Sequence, residues 1–173
     1  MFNPDYFRLI FFIAFFVIFV IFQLIAPARK IKKGRWFANL SLTILNVLVV
    51  KLILPTGLIA VAVWSQKNSF GLFNLFISKD QIAHILLSIL AMDLLIYIQH
   101  LLSHKVKLLW SFHKVHHLDV GMDVTTALRF HPIEIVLSLL YKSFFIIMLG
   151  ISPNSIIIFE VILNTMAMFN HSN

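Results

Sequence analysis

The sequence predicts an all-α, multi-pass membrane helical bundle of about 4–5 spans, and three observations carry that prediction. The chain is 60% hydrophobic with 12% charged residues, about half the charged share of a soluble domain. Its Phe, Ile and Leu gather into runs long enough to cross a bilayer. Short polar punctuation, with no soluble module, separates those runs. One integral domain fits, divided into an N-terminal transmembrane anchor region at 1–80 and a histidine-rich region at 81–173.

The first run, Phe7 to Ala26, suffices at about 1.5 Å per residue to cross about 30 Å of hydrocarbon. Ala26-Pro27-Ala28 resembles a cleavage site, but a signal peptide carries its positive charge ahead of the apolar stretch. Here only Arg8 precedes it, while Arg29, Lys30, Lys32, Lys33 and Arg35 follow. An uncleaved anchor is expected, with the basic cluster cytoplasmic against anionic lipid and the N-terminus outside. Although the net charge is +7, this one-sided cluster lacks the aromatic-interleaved groove of a nucleic-acid surface, so no nucleic-acid partner is expected.

A second apolar region, Ala38 to Trp64, returns outward. Lys51 within it snorkels or faces a neighbouring helix, and Pro55-Thr56-Gly57 marks a kink or a break into two shorter helices. Ser65 to Asp80, apolar only at its centre, is expected along the outer interface. The third span, about Gln81 to His100, runs inward again. Beyond it, Ile133 to Leu149 and Ser155 to Phe169 flank the breaker Gly150-Ile-Ser-Pro153-Asn and form a helical hairpin. Such a hairpin returns the chain to the side it left, so His131 and His171 lie near the same surface as the end of the third span.

Seven of the eight histidines thereby converge on one membrane face. His100 and His104 end the third span, and His113, His116 and His117 follow closely. Spacings of three and four bring such rings onto a common helix face. Histidine is the commonest nitrogen ligand of iron, zinc and copper, and a ring that ligates through one nitrogen is oriented through the other. On the third span Asp93, Tyr97, His100 and His104 share one face, expected to point into the bundle, where Asp93 or Tyr97 could orient a ligand ring. His131-Pro132 sits at a helix start with Glu134 in its first turn. His84 falls on nearly the opposite face of the third span and is assigned to structure. Without cysteine, disulfides, thiolate sites and covalent haem attachment are excluded. The zinc-protease pattern His-Glu-x-x-His is absent as well.

These residues resemble the fatty acid hydroxylase/sterol desaturase superfamily of integral-membrane histidine-box enzymes. The resemblance rests on Asp93 with Tyr97-Ile-Gln-His100-Leu-Leu-Ser-His104, on Leu109-Trp110-Ser-Phe-His113-Lys-Val-His116-His117, on Thr126-Ala127-Leu-Arg129-Phe130-His131-Pro132-Ile-Glu134, and on Phe169-Asn-His171-Ser172-Asn173. It covers about Leu72 to the C-terminus and makes 81–173 a hydroxylase-like histidine-box domain. It implies a non-haem centre of two Fe that uses O₂ to hydroxylate or desaturate a lipid or sterol-like substrate held by the hairpin and first spans. His100, His104, His113, His116 and His117 would be metal ligands, with His131 and His171 auxiliary. Asp93, Tyr97, Glu134 and Asn173 would support the ligands from behind.

The family also carries a third His-x-x-His-His box, whereas this sequence stops at Asn173, so a fragment or a natural truncation is expected. An external electron donor is implied, a reductase, cytochrome b5 or ferredoxin type protein, because the sequence holds no dinucleotide fingerprint. Two other classes stay open. A bis-His haem cytochrome would pair its histidines across helices, often at two depths, and a catalytically inactive remnant would bind metal poorly.

Overall fold

In the computed structural model, which describes residues 4–29, 34–78, 81–119 and 121–173, the apolar runs form helices and no strand occurs among the described residues. In chain order these are α1 (Pro4–Ile25), α2 (Arg35–Ile53), α3 (Gly57–Lys67), α4 (Ile82–Lys105), α5 (Lys107–His117), α6 (Pro132–Leu149) and α7 (Pro153–His171). Short 3₁₀ turns at Leu72–Leu75 and Val124–Leu128 interrupt the connections. Four segments are long and apolar enough to cross a membrane: Tyr6–Ile25, Arg35–Leu75, Ile82–Lys105 and Pro132–Leu149. At most 17% of any of these windows is buried inside the protein. So much exposed apolar surface would drive aggregation in water and suits hydrocarbon as the solvent. The chain is a multi-pass helical membrane bundle.

Proline and glycine set the helix ends. Between α2 and α3 the Pro55-Thr56-Gly57 sequence produces a break, with Gly57 at φ +70. Lys51, expected to snorkel or to face a neighbouring helix, instead reaches the Pro55 carbonyl at 3.5 Å. A carbonyl freed by a helix break attracts a cation in this way. The hairpin forms as expected: Gly150 closes α6 in the left-handed region at φ 74, and Ser152 caps α7 ahead of Pro153. Against this turn packs the connection after α3. A Cβ added to Gly71 would stand 2.1 Å from the Gly150 amide nitrogen, so the connection after α3 is pinned to the hairpin by backbone contact.

Two apolar clusters hold the bundle. Leu58 and Ala62 of α3, Met92 of α4, Leu139 and Ile146 of α6, and Ile156 and Phe159 of α7 form one. In the other, Val124, Ala127 and Met168 meet the phenylalanine face of α1. Between α6, α7 and α1, Glu160 takes Arg8 at 2.6 Å and Lys142 at 3.7 Å, a charge group joining three helices that the sequence reading did not anticipate.

The inward orientation expected for the Asp93 stripe is not what forms. On α4 the buried residues are His84, Ser88, Met92 and Ser103, and Gln99 accepts a hydrogen bond from Ser138 of α6 at 3.2 Å. Small serines let α6 and α7 approach on that face, which turns Asp93 and Tyr97 outward; Tyr97 is 62% exposed. His84 lies fully buried, its Nδ1 3.3 Å from the Ser88 hydroxyl.

Within the basic cluster, Arg35 does not face lipid. Lys30, Lys32 and Lys33 lie outside the described residues, and Arg35 turns inward to pair with Asp119. It opens a polar face on α2 whose every member holds the 119–130 connection. Trp36 donates to Asp123 at 3.2 Å, Asn39 to Thr125 at 2.9 Å, Thr43 to the Leu128 carbonyl at 3.3 Å and Asn46 to the Phe130 carbonyl at 2.9 Å.

Candidate metal centre

Helix α4 ends at Lys105, and Val106 adopts an extended conformation (φ −92, ψ 117) before α5 begins. This single non-helical residue folds α5 back beside the end of α4. The i, i+4 pair His100/His104 therefore faces the i, i+4 pair His113/His117. One ligand nitrogen from each of the four lies within 4.8 Å of all the others. Within each pair the Nε2 atoms stand 3.1 Å apart.

That separation tests whether a metal fits. Two nitrogens each about 2.1 Å from one cation, at right angles, are about 3.0 Å apart, and a trans pair about 4.2 Å. The four-nitrogen set matches the first value and exceeds the second slightly. Imidazole nitrogens this close suit a cation placed between them.

A second pair adjoins the first group. His116, the next histidine face of α5, brings its Nε2 to 2.9 Å from Nε2 of His171 at the end of α7. The rings of His116 and His117 are 5.2 Å apart. Six imidazoles thus form one continuous array, four from α4 and α5 and two bridging α5 to α7.

Hydrogen bonds behind the rings decide which nitrogen each offers. His113 donates from Nδ1 to Glu134 Oε1 at 2.6 Å, His116 to the Arg129 carbonyl at 3.2 Å, and His171 to the Ala167 carbonyl at 2.7 Å. Each bond places the proton on Nδ1 and leaves Nε2 bare for a metal, the arrangement that orients ligating histidines generally. Phe130 stacks flat on His116 at 4.6 Å and 6°, fixing its plane. Trp110 covers the rings of His104 and His117 at 5.3 and 5.7 Å. Glu134 Oε2 is buried without a hydrogen-bond partner among the described residues, a free acceptor beside the array.

Electrostatics keep the array ready for a cation. Burial, reinforced by neighbouring His171, lowers His116 from the usual 6.5 to about 3. Burial and the adjacent His113 lower His117 as well. Rings that resist protonation do not make a cation compete with protons near neutral pH. His113 is buried, whereas His100, His104 and His117 are exposed, so the four-nitrogen group is open on one side.

Of the residues nominated from sequence, six histidines and Glu134 come together. The other four go elsewhere. His131 caps α6, its Nδ1 accepting the Ile133 amide at 3.1 Å, and its ring lies against Phe112. Asn173 exchanges two hydrogen bonds with the Arg29 backbone, at 2.8 and 2.7 Å, tying the end of α7 to the segment after α1. Asp93 and Tyr97 are exposed and have no polar partner among the described residues. Sequence reading passed over the Arg129 carbonyl and the α2 residues that hold it, because a backbone acceptor carries no residue-type signal.

A family model described as fatty acid hydroxylase matches residues 85–173, just over half of the chain. No curated protein and no solved structure matches.

Proposed function

The chain belongs to the fatty acid hydroxylase family, membrane enzymes of hydroxylase or desaturase type, and we propose that it houses a non-haem iron centre that oxidises a lipid or sterol-like substrate with O₂. The observation that carries this reading is the six-imidazole array, in which three rings are held by Nδ1 so that Nε2 faces its neighbours. His100, His104, His113 and His117 would hold one iron, and His116 with His171 would contribute to a second. When bound, iron supplies the redox chemistry that activates O₂ against an unactivated C–H bond.

The protein's own residues do the remaining work. Glu134 keeps the proton of His113 on Nδ1, and the Arg129 carbonyl does the same for His116. Exposed Leu94, Ile98 and Leu101 of α4 run from the imidazoles into the apolar span and offer an alkyl chain a wall continuous with the array. Electrons come from a separate reductase, cytochrome b5 or ferredoxin type donor docking near the basic segment. The array then faces the cytoplasm and the N-terminus lies outside, as positive charge on the cytoplasmic side favours.

The test is metal analysis of the purified chain in detergent, with optical spectroscopy and product analysis by mass spectrometry. Two equivalents of iron, no Soret band, and an oxygenated or desaturated lipid formed under O₂ with a supplied reductant are expected. A Soret band would replace this reading with a bis-His haem cytochrome, and a chain that takes up no metal would make it an inactive remnant.

A further inference from the structure

Helix α2 reads in sequence as an anchor, yet its buried asparagines and Thr43 face the connection that holds His116. Asn39, Thr43 and Asn46 recur at spacings of four and three, which places them on one helix face. Asn39 donates to Thr125 at 2.9 Å, and its Oδ1 accepts from the Arg129 guanidinium at 3.5 Å. Thr43 shares its one hydroxyl proton between the Asn39 carbonyl of its own helix at 2.8 Å and the Leu128 carbonyl at 3.3 Å, and Asn46 donates to the Phe130 carbonyl at 2.9 Å. Asn39 and Asn46 are 1% and 6% exposed. The two held carbonyls flank the Arg129 carbonyl, the acceptor of the His116 Nδ1 proton. Phe130, whose own carbonyl Asn46 holds, stacks on the same ring.

At the near end of this face Arg35 pairs with Asp119, which follows His117 by two residues and also accepts from the Thr126 hydroxyl at 3.0 Å. Both ends of the 119–130 connection are therefore fastened to α2, and its last residues present one carbonyl and one ring to His116. Polar side chains within an apolar span bond to partners inside the protein, since hydrocarbon offers none. Two of the partners here are the backbone carbonyls on either side of a ligand-orienting carbonyl.

We propose that the polar face of α2 is a positioning device for His116, with Asn46 and Thr43 setting the Arg129 carbonyl that decides which imidazole nitrogen faces His171. Its consequence for metal binding rests on the iron-centre reading; its consequence for the ring does not. Asn46→Leu and Thr43→Val keep the volume of the span and remove the donors. Asn164→Leu serves as the matched control, because Asn164 on α7 donates only to a carbonyl of its own helix, that of Glu160 at 2.8 Å.

Nitrogen-15 NMR of histidine-labelled, metal-free protein in detergent reads the tautomer directly. The parent and the Asn164→Leu control should hold His116 as the Nδ1–H form. Asn46→Leu, alone and with Thr43→Val, should shift it toward a mixture, with His113 unchanged. Titration with cobalt(II) should then show the site at His116 and His171 weakened roughly 10- to 100-fold, and the four-imidazole site retained. An unchanged His116 tautomer in the double variant would overturn the proposal, as would equal loss at both sites together with lost helix content. If the parent binds no cobalt, the metal reading falls while the tautomer comparison still decides the role of α2.

Discussion

Removing the carboxylate behind His113 should weaken the four-imidazole site by an amount that the structure sets. Glu134 Oε1 lies 2.6 Å from His113 Nδ1, and the ring is 1% exposed. A hydrogen bond to a charged acceptor is worth about 1.5–3 kcal/mol against about 0.5–1.5 for a neutral one. Glu134→Gln retains an amide oxygen that can accept from the same Nδ1–H, so it should lose about 1–1.5 kcal/mol, or roughly 5- to 13-fold in affinity. Glu134→Ala leaves a buried donor with no acceptor, and the expected loss is roughly 10- to 100-fold. Competition of cobalt(II) between the detergent-solubilised protein and a chelator of known affinity, at pH 7.5 and fixed salt, measures both. The order parent, Gln, Ala is the expected result. Equal affinity for parent and Glu134→Ala would refute the argument that this carboxylate orients a ligand, and so would a Gln variant weaker than Ala.

Three further outcomes follow from geometry already described. His116→Ala should lose the cation shared with His171 while helix content by circular dichroism stays unchanged, whereas His84→Ala should keep the parent's metal content. Gly71→Ala should destabilise by about 3 kcal/mol or more, read as a lower thermal midpoint in detergent, because the new Cβ meets the Gly150 backbone and the residue sits at φ +112. The metal-free protein should lose stability as pH falls from about 6.5 toward 3. In that window the unfolded chain binds a proton at His116 that the folded chain, with its value held at about 3, refuses. Denaturation midpoints across pH 4–7 should show this slope, reduced in His116→Gln; an identical slope in that variant would rule His116 out as its source.

The helices were legible because hydropathy marks spans and Pro or Gly marks their ends, as at Pro55 and Gly150. Spacing also read His100/His104 as a shared face, but it set His113, His116 and His117 about one centre, where His116 instead turns to His171 while His113 and His117 meet the α4 pair. Helical periodicity states which residues share a face but not which face is buried, and the Asp93 stripe was misplaced for that reason. Met92 and the serines Ser88 and Ser103 carry the packing instead. Arg35 looked like one more lipid-facing cation because its partner, Asp119, lies 84 positions away. The asparagines of α2 were unreadable on the same ground, since their partners, the Thr125 hydroxyl and the Phe130 carbonyl, lie 86 and 84 positions away.

The bend at Val106 makes the two parts of the array differ in when they can exist during synthesis. All four imidazoles of the first group emerge between His100 and His117, and their approach requires only that α4 and α5 fold against each other, a local event that costs little loop closure. The pair at His116 and His171 closes across 55 positions and needs both arms of the hairpin inserted. A nascent chain released after α5 would therefore already present a four-nitrogen group, whereas the pair at His116 and His171 forms only once α7 has been made, so the two parts of the array assemble in a fixed order.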